Sequence, residues 1–358
     1  MPDLFERLRQ RLDDLGPGFP VSKSRVEMKI LKNLFTEEEA ELFLNLPPLL
    51  EDPNDTAQRL GRDPVQTAAL MERMAKKGLL FRTRKGELVR YAAVPYVVGI
   101  FEFQVNRMDK ELARDMEEYM HEFLDRSLAS YKTPILRTIP IQRELVAEWP
   151  VAPYEDVLMI IDQQETIALS PCICRTMSTL NDRTCDKPLE VCFAFGSHAH
   201  YYVENKMGRY VTREEAKEVV RQNEKAGLVM QPFNSQKVGG MCSCCGDCCG
   251  MLRSLKKQPR PADSVQSNYF AAVNSEECIG CQTCLDRCQM EAIEMVDDQA
   301  SILVERCIGC GLCVTTCPQE ALKLVRKPEE QLYQPPQSGA ETYMRIALER
   351  GKNLMPTI

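Results

Sequence analysis

The first half of this chain is patterned as helices, and its last quarter as short strands between turn signals. Residues 36–46 form an acidic helical stretch opened by a Thr-x-x-Glu capping box at Thr36 and Glu39. Residues 56–60 read as a short helix ending at Gly61. Asp63-Pro64 opens the next helix, which runs over 65–77 and stops at Gly78. Ala68, Met71, Met74 and Ala75 fall on one face of it at helical spacing. Strands at 79–83 and 88–92 bracket a basic tip, Arg84-Lys85-Gly86-Glu87. Further on, 108–129 is helical, and 151–167 holds a helix-like run with an apolar lead into Pro171. Residues 212–226 predict a helix, with Thr212 as N-cap, Glu215 three residues on and Gly227 after the last turn. Strands at 292–296 and 301–305 flank the turn 297–300, a third strand follows at 321–325, and 341–349 is helical after Pro335-Pro336.

Over residues 36–95 the order of helix, helix-turn-helix and two-stranded wing resembles the winged-helix fold, within a domain taken as 1–98. Between residues 55 and 95 there are nine lysines and arginines against four acidic residues, a net charge of about +5. A basic wing suits a phosphate backbone. The second helix begins Val65-Gln66-Thr67-Ala68-Ala69, however, and offers few side chains for base edges. Protein docking or scaffolding is therefore the preferred reading over DNA binding.

The chain has 358 residues and a formal charge of −7, a length that predicts two or three domains. Its first fifteen residues carry charges throughout, with no apolar leader, and no run approaches the length of a membrane span. Seventeen cysteines on such a chain point to metal ligation in a reducing cytoplasm rather than to disulfides.

Two runs of cysteine share one spacing, C-x2-C-x2-C-x3-C. The first is Cys278, Cys281, Cys284 and Cys288, followed by Gln289; the second is Cys307, Cys310, Cys313 and Cys317, followed by Pro318. This is the iron–sulfur run of bacterial two-cluster ferredoxins, in which the fourth cysteine ligates the other cluster. Cys278, Cys281, Cys284 and Cys317 are thereby assigned to one [4Fe–4S] cluster, and Cys307, Cys310, Cys313 and Cys288 to a second. The two runs are offset by 29 residues, and Glu291-Ala292-Ile293 maps onto Glu320-Ala321-Leu322 at the same offset. Each half predicts a loop, a short helix and a strand. Zinc sites use two well-separated C-x2-C pairs, so they fit this pattern poorly. Each cluster with its thiolates adds about −2, which brings the whole to about −11 and favours a partner of complementary charge.

Nine further cysteines lie upstream in two groups. Cys172, Cys174, Cys185 and Cys192 are candidates for a third [4Fe–4S] cluster. Cys242, Cys244, Cys245, Cys248 and Cys249 are candidates for another metal centre, or lend ligands to the third; zinc is the alternative for either group. Arg175 is either a counter-charge to that centre or an ordinary surface arginine. His198 and His200, read as alternating on a strand, would share one face and suit a metal, but an exposed or hydrogen-bonded role is preferred.

The chain resembles the large dicluster [4Fe–4S] ferredoxin-like proteins of anaerobic bacteria and archaea. The resemblance rests on Pro-Cys-Ile-Cys-Arg at 171–175, Cys-Ser-Cys-Cys-Gly-Asp-Cys-Cys at 242–249 and the two ferredoxin runs, and it covers roughly residues 150–330. It implies electron transfer beside a larger oxidoreductase. The expected architecture is α+β and multidomain: a winged-helix-like domain over 1–98, a helical connector over 99–150 and a cysteine-rich domain over 151–262. A ferredoxin domain of βαββαβ pseudo-repeat then spans 263–330, and a tail 331–358. The leading functional reading is a ferredoxin-like carrier or a subunit of a cytoplasmic redox complex. The alternatives are a redox-sensing transcription regulator that binds DNA through the wing, and an oxidoreductase whose upstream cluster binds substrate. No Gly-rich loop for a flavin or nicotinamide appears.

Overall fold

In the computed structural model the described residues are 3–141 and 151–356; residues 142–150 of the expected connector and the last two of the tail lie outside them. The chain opens with α1 (Leu4–Asp13) and α2 (Val26–Leu34), then α3 (Glu37–Leu44), α4 (Pro53–Leu60) and α5 (Pro64–Lys76). The antiparallel hairpin β1 (Leu80–Lys85) and β2 (Leu88–Ala93) precedes the long α6 (Lys110–Ser130). At α3 the capping box forms in full: the Thr36 hydroxyl accepts from the Glu39 amide, and the Glu39 carboxylate accepts from the Thr36 amide. α4 starts three residues ahead of Thr56, because Asp52 caps it and Pro53 fills the first position. On α5, Leu70 is buried with Met71, Met74 and Ala75, while Ala68 is only half-buried.

The middle of the chain builds one five-stranded antiparallel sheet. β3 (Ile167–Pro171), β4 (Glu190–Phe195), β5 (Arg209–Val211), β6 (Val229–Pro232) and β7 (Gly240–Cys244) lie in the order β5-β3-β4-β7-β6. α7 (Val157–Asp162), α8 (Ile173–Leu180), α9 (Ser197–Glu204), α10 (Arg213–Lys225) and α11 (Gly250–Lys256) flank and connect these strands. The C-terminal module follows as β8 (Tyr269–Val273), α12 (Thr283–Arg287), β9 (Ile293–Val296), β10 (Gln299–Ile302) and β11 (Leu322–Arg326). β9 and β10 form a hairpin, and β11 pairs antiparallel with β8. A 3-10 turn at Val314–Thr316 takes the place of the second helix. Finally α13 (Gly339–Glu349) leads to Arg350 and Lys352, which pair with Asp13 of α1 at 2.9 and 2.7 Å.

The N-terminal helices share their core with the sheet domain. One apolar cluster joins Leu8, Phe43, Met74 and Tyr119 to Ile173, Tyr201 and Ile346. The seam between hairpin and sheet domain is also polar. Arg82 and Arg84 on β1 pair with Glu72 on α5 and Glu204 on α9 at 2.6 to 3.0 Å. The Tyr201 hydroxyl reaches the carbonyls of Ala75 and Leu80.

The histidines read as strand residues belong instead to α9, where positions two apart point in different directions. His198 stacks on Phe81 with ring centroids 4.6 Å apart, whereas His200 is exposed and 2.8 Å from the Tyr210 hydroxyl. Desolvation pulls the His198 pKa down from 6.5 to about 4. A base depressed in this way stabilises the fold above its free pKa, and that contribution is lost as pH falls through the folded value. Folding stability measured by denaturant titration should therefore decline from pH 6.5 toward 4, and His198→Phe should flatten the decline. An identical pH slope in the variant would remove His198 as its cause.

Candidate iron–sulfur and thiolate centres

The two halves of the C-terminal module are related by the 29-residue offset down to single atoms. Gly280 and Gly309 take φ values of +68° and +67°. A Cβ on either would stand 2.3 Å from the Asp298 carbonyl oxygen or 2.2 Å from that of Tyr269, themselves 29 residues apart. The Ala300 amide donates to the Cys278 sulfur at 3.4 Å, and the Ala271 amide donates to the Cys307 sulfur at the same distance. Each strand of one half thus feeds a hydrogen bond to the first cysteine of the other. Such bonds favour thiolate and raise a cluster's potential.

Two clefts result, each with about 380 Å³ of open space that includes solvent at its mouth. Cys278, Cys281, Cys284 and Cys317 line the first, with Ala300 and Leu322. Cys288, Cys307, Cys310 and Cys313 line the second, with Ala271 and Ile302. In each, the sulfurs ring an apolar cradle rather than meet at a point, an arrangement that suits a polynuclear cluster whose irons each take one thiolate. The surroundings differ: Cys281 is exposed and its neighbour Ile279 is 64 % exposed, whereas burial pushes the Cys310 thiol up to about 12.

The upstream thiols divide differently from their order in the chain. Six lie close enough for each to interact with two others, in the closed order Cys172, Cys174, Cys249, Cys244, Cys242, Cys192. Cys185 shares one cluster with Cys172, Cys174 and Cys192, and within it its sulfur lies within 4.8 Å of those of Cys245 and Cys248. The cause is strand geometry at the end of β7. Cys242 and Cys244 are two apart and share a face, while Cys245 is next in line and turns away. Arg175 lies between the two groups and is only 2 % exposed, which rules out the surface reading. It donates to the carbonyls of Pro188 and Ser243 at 2.7 and 3.1 Å. Burial works against its charge, but the sulfurs of Cys172 and Cys245 outweigh that and hold its pKa above the usual arginine value.

Three side chains fasten the ferredoxin module to the thiol domain. Arg287 donates to the carbonyls of Glu224 and Lys225 at the end of α10. Arg306 donates to Lys256 and Gln258 beyond α11. Gln289 accepts from the Gly246 amide at 2.7 Å and donates to the Gly227 carbonyl at 3.1 Å. The glutamine therefore departs from the proline of the second run for a reason: its amide ties the loop after Cys288 to the loop that carries Cys245 and Cys248. Sequence reading noted the departure but not the contact. Cys244 and Cys249 of the upstream ring share one apolar core with Cys288, Cys307 and Cys310 of the second cavity.

A family model described as a 4Fe–4S dicluster domain matches residues 271–324, from within β8 into β11, and includes all eight cysteines of the two runs. No curated protein matches the chain. The C-terminal module is thus an iron–sulfur domain, and its role is electron transfer.

Gly309→Ala combines a positive φ with a backbone clash. It should destabilise the chain by more than about 1 kcal/mol and lower iron content, read by denaturant midpoint and iron assay. Gln289→Leu leaves every cysteine in place but strands the Gly246 amide, and should lower stability by about 1–3 kcal/mol. An unchanged midpoint for this variant would mean that water replaces the glutamine and that the strap is dispensable.

Proposed function

We propose that this chain conducts single electrons between a partner docked at the exposed rim of the first cavity and a redox centre held by the upstream thiol ring. In this reading Cys278, Cys281, Cys284 and Cys317 hold one [4Fe–4S] cluster, and Cys288, Cys307, Cys310 and Cys313 hold the other. Cys172, Cys174, Cys192, Cys242, Cys244 and Cys249 hold a further iron–sulfur centre. When bound, the clusters supply one-electron storage. The protein supplies thiolates, backbone donors to Cys278 and Cys307, and apolar walls that exclude water.

The observation that carries this reading is the order of the sites. The first cavity opens beside exposed Ile279 and Cys281, and the second is packed in one core with the upstream ring. The dense thiols favour a reducing cytoplasm. The partner would be a larger redox enzyme or an electron donor or acceptor protein, and the exposed apolar Ile279 offers it a contact next to the first cluster. A regulator that reads DNA through the hairpin is the weaker alternative. Arg82 and Arg84 are already engaged with Glu72 and Glu204, and the hairpin is tied to α9.

Iron and acid-labile sulfide counted on protein purified without oxygen test the proposal. Wild type should carry clearly more than the eight irons of two cubanes, about twelve if the ring holds a third. Cys172→Ser with Cys244→Ser should return the count to about eight and leave the spectrum of the two ferredoxin clusters in place. Eight irons in wild type would sink the upstream centre; colourless, iron-free protein would sink the whole reading.

A further inference from the structure

Among the described residues, one trio of candidate ligands has all its ligand atoms within 4.8 Å of one another: Cys185, Cys245 and Cys248. We infer that these three thiolates bind a single divalent ion of the zinc class, separate from any iron–sulfur cluster, with a fourth coordination position beside half-exposed Cys185 open to a small ligand. The inference does not depend on the reading of the upstream ring.

Spacing points to one ion rather than a cluster. A tetrahedral ion with metal–sulfur bonds of about 2.3 Å places its sulfurs about 3.8 Å apart. The Cys185 and Cys245 sulfurs stand 4.0 Å apart, near that edge length and far beyond a disulfide bond. Sulfurs that ligate a cubane each cap a different iron and spread more widely. The quartets around the two ferredoxin cavities are of that wider kind, since no three of their sulfurs come within 4.8 Å of one another.

Local chain geometry suits an ion as well. Cys245-Gly246-Asp247-Cys248 is a C-x2-C chelate loop, the commonest half of a structural zinc site. Gly246 is held by Gln289, which fixes the turn of that loop. Cys185 comes from the loop between α8 and β4 and closes the third corner.

Charge decides the oxidation state. Three thiolates around a divalent ion leave one negative charge in a largely buried place. Arg175, which also faces Cys172 of the ring, sets a positive charge beside them: it is buried, lies beside Cys245, pairs with no carboxylate among the described residues, and its Nε has no hydrogen-bond partner there. A monovalent ion would leave the site net negative, and a trivalent ion net positive. Among the described residues only these three sulfurs form a set within 4.8 Å of one another, so a tetrahedral ion keeps its fourth position for water or an added thiol, as open zinc sites do. Binding releases the thiol protons to solvent, and no electron changes hands.

The test uses the full chain, purified without oxygen, with zinc and iron measured together and cobalt(II) as a spectroscopic probe. Wild type should carry one zinc per chain. Cobalt(II) in its place should give sulfur-to-metal charge-transfer bands and the strong visible bands of a tetrahedral site. Cys185→Ala, in a half-exposed loop, and Cys248→Ala should each abolish stoichiometric zinc and leave iron unchanged. A small added thiol should shift the visible bands of the wild-type cobalt form. Wild type without zinc or a cobalt–thiolate signal would overturn the site, and so would a Cys185→Ala protein that loses iron instead of zinc. Cobalt bands indifferent to added thiol would overturn the open position. Failure of the upstream iron count would leave all these readouts untouched, which keeps the two proposals separable.

Discussion

A buried sulfur carries negative charge only where a cation or a donated proton meets it, and the chain from residue 172 onward is arranged around that demand. All seventeen cysteines lie between Cys172 and Cys317, and none is joined to another in a disulfide. Strand amides point at Cys278 and Cys307, a buried arginine sits between the two upstream thiol groups, and apolar residues fill the remaining walls. Ordinary packing has no use for so many thiols in so few places, and an apo chain would have to keep most of them protonated against one another.

The duplicated module is symmetric where it grips and asymmetric where it connects. The positive-φ glycines, the crossed N–H to sulfur bonds and the left-handed glutamates at 291 and 320 repeat at one offset, because both halves solve the same wrapping problem. Gln289 and Pro318 break the repeat. The glutamine faces the upstream loop and bonds to it, while Pro318 lines the outer cavity near the exposed rim. One end of the module is held by its own chain, and the other carries the exposed side chains of Ile279 and Cys281.

The ferredoxin module was legible because its spacing is local: two runs of four thiols, each within eleven residues, match one ligation pattern, and turn residues mark the strands between the runs. Helix starts were legible for the same reason. Thr36, Asp63 and Thr212 act on amides two or three residues away. The upstream grouping was not, because it depends on which side of a strand each residue faces and on loops that meet only in the fold. Cys244 and Cys245 are neighbours in sequence and part company in space, and Cys185 finds partners 60 and 63 residues away. His198 and His200 failed as a strand pair because Gly196, with φ +55°, turns the chain from β4 into a helix just before them. The apolar faces of α1 and α2 become recognisable only against α3 and α6, on which they pack.

That shared packing bears on how the N-terminal half acts. A winged hairpin that reads a partner needs its basic side chains free, whereas here Arg82 is buried and shares Glu204 with Arg84. Glu204 ends α9, the helix that follows β4, and β4 carries Cys192 of the thiol ring. Phe81 packs on His198 and Tyr201 of the same helix. The hairpin thus braces the strand that positions a candidate ligand, and its position is fixed by the same core that holds α8 behind Cys172 and Cys174. Displacing the hairpin toward an external partner would open apolar surface around Tyr201 and leave Glu72 and Glu204 without their arginines. Two linked losses of that kind would accompany any such displacement, whereas the tip at Lys85 to Leu88 and Arg90 already face solvent.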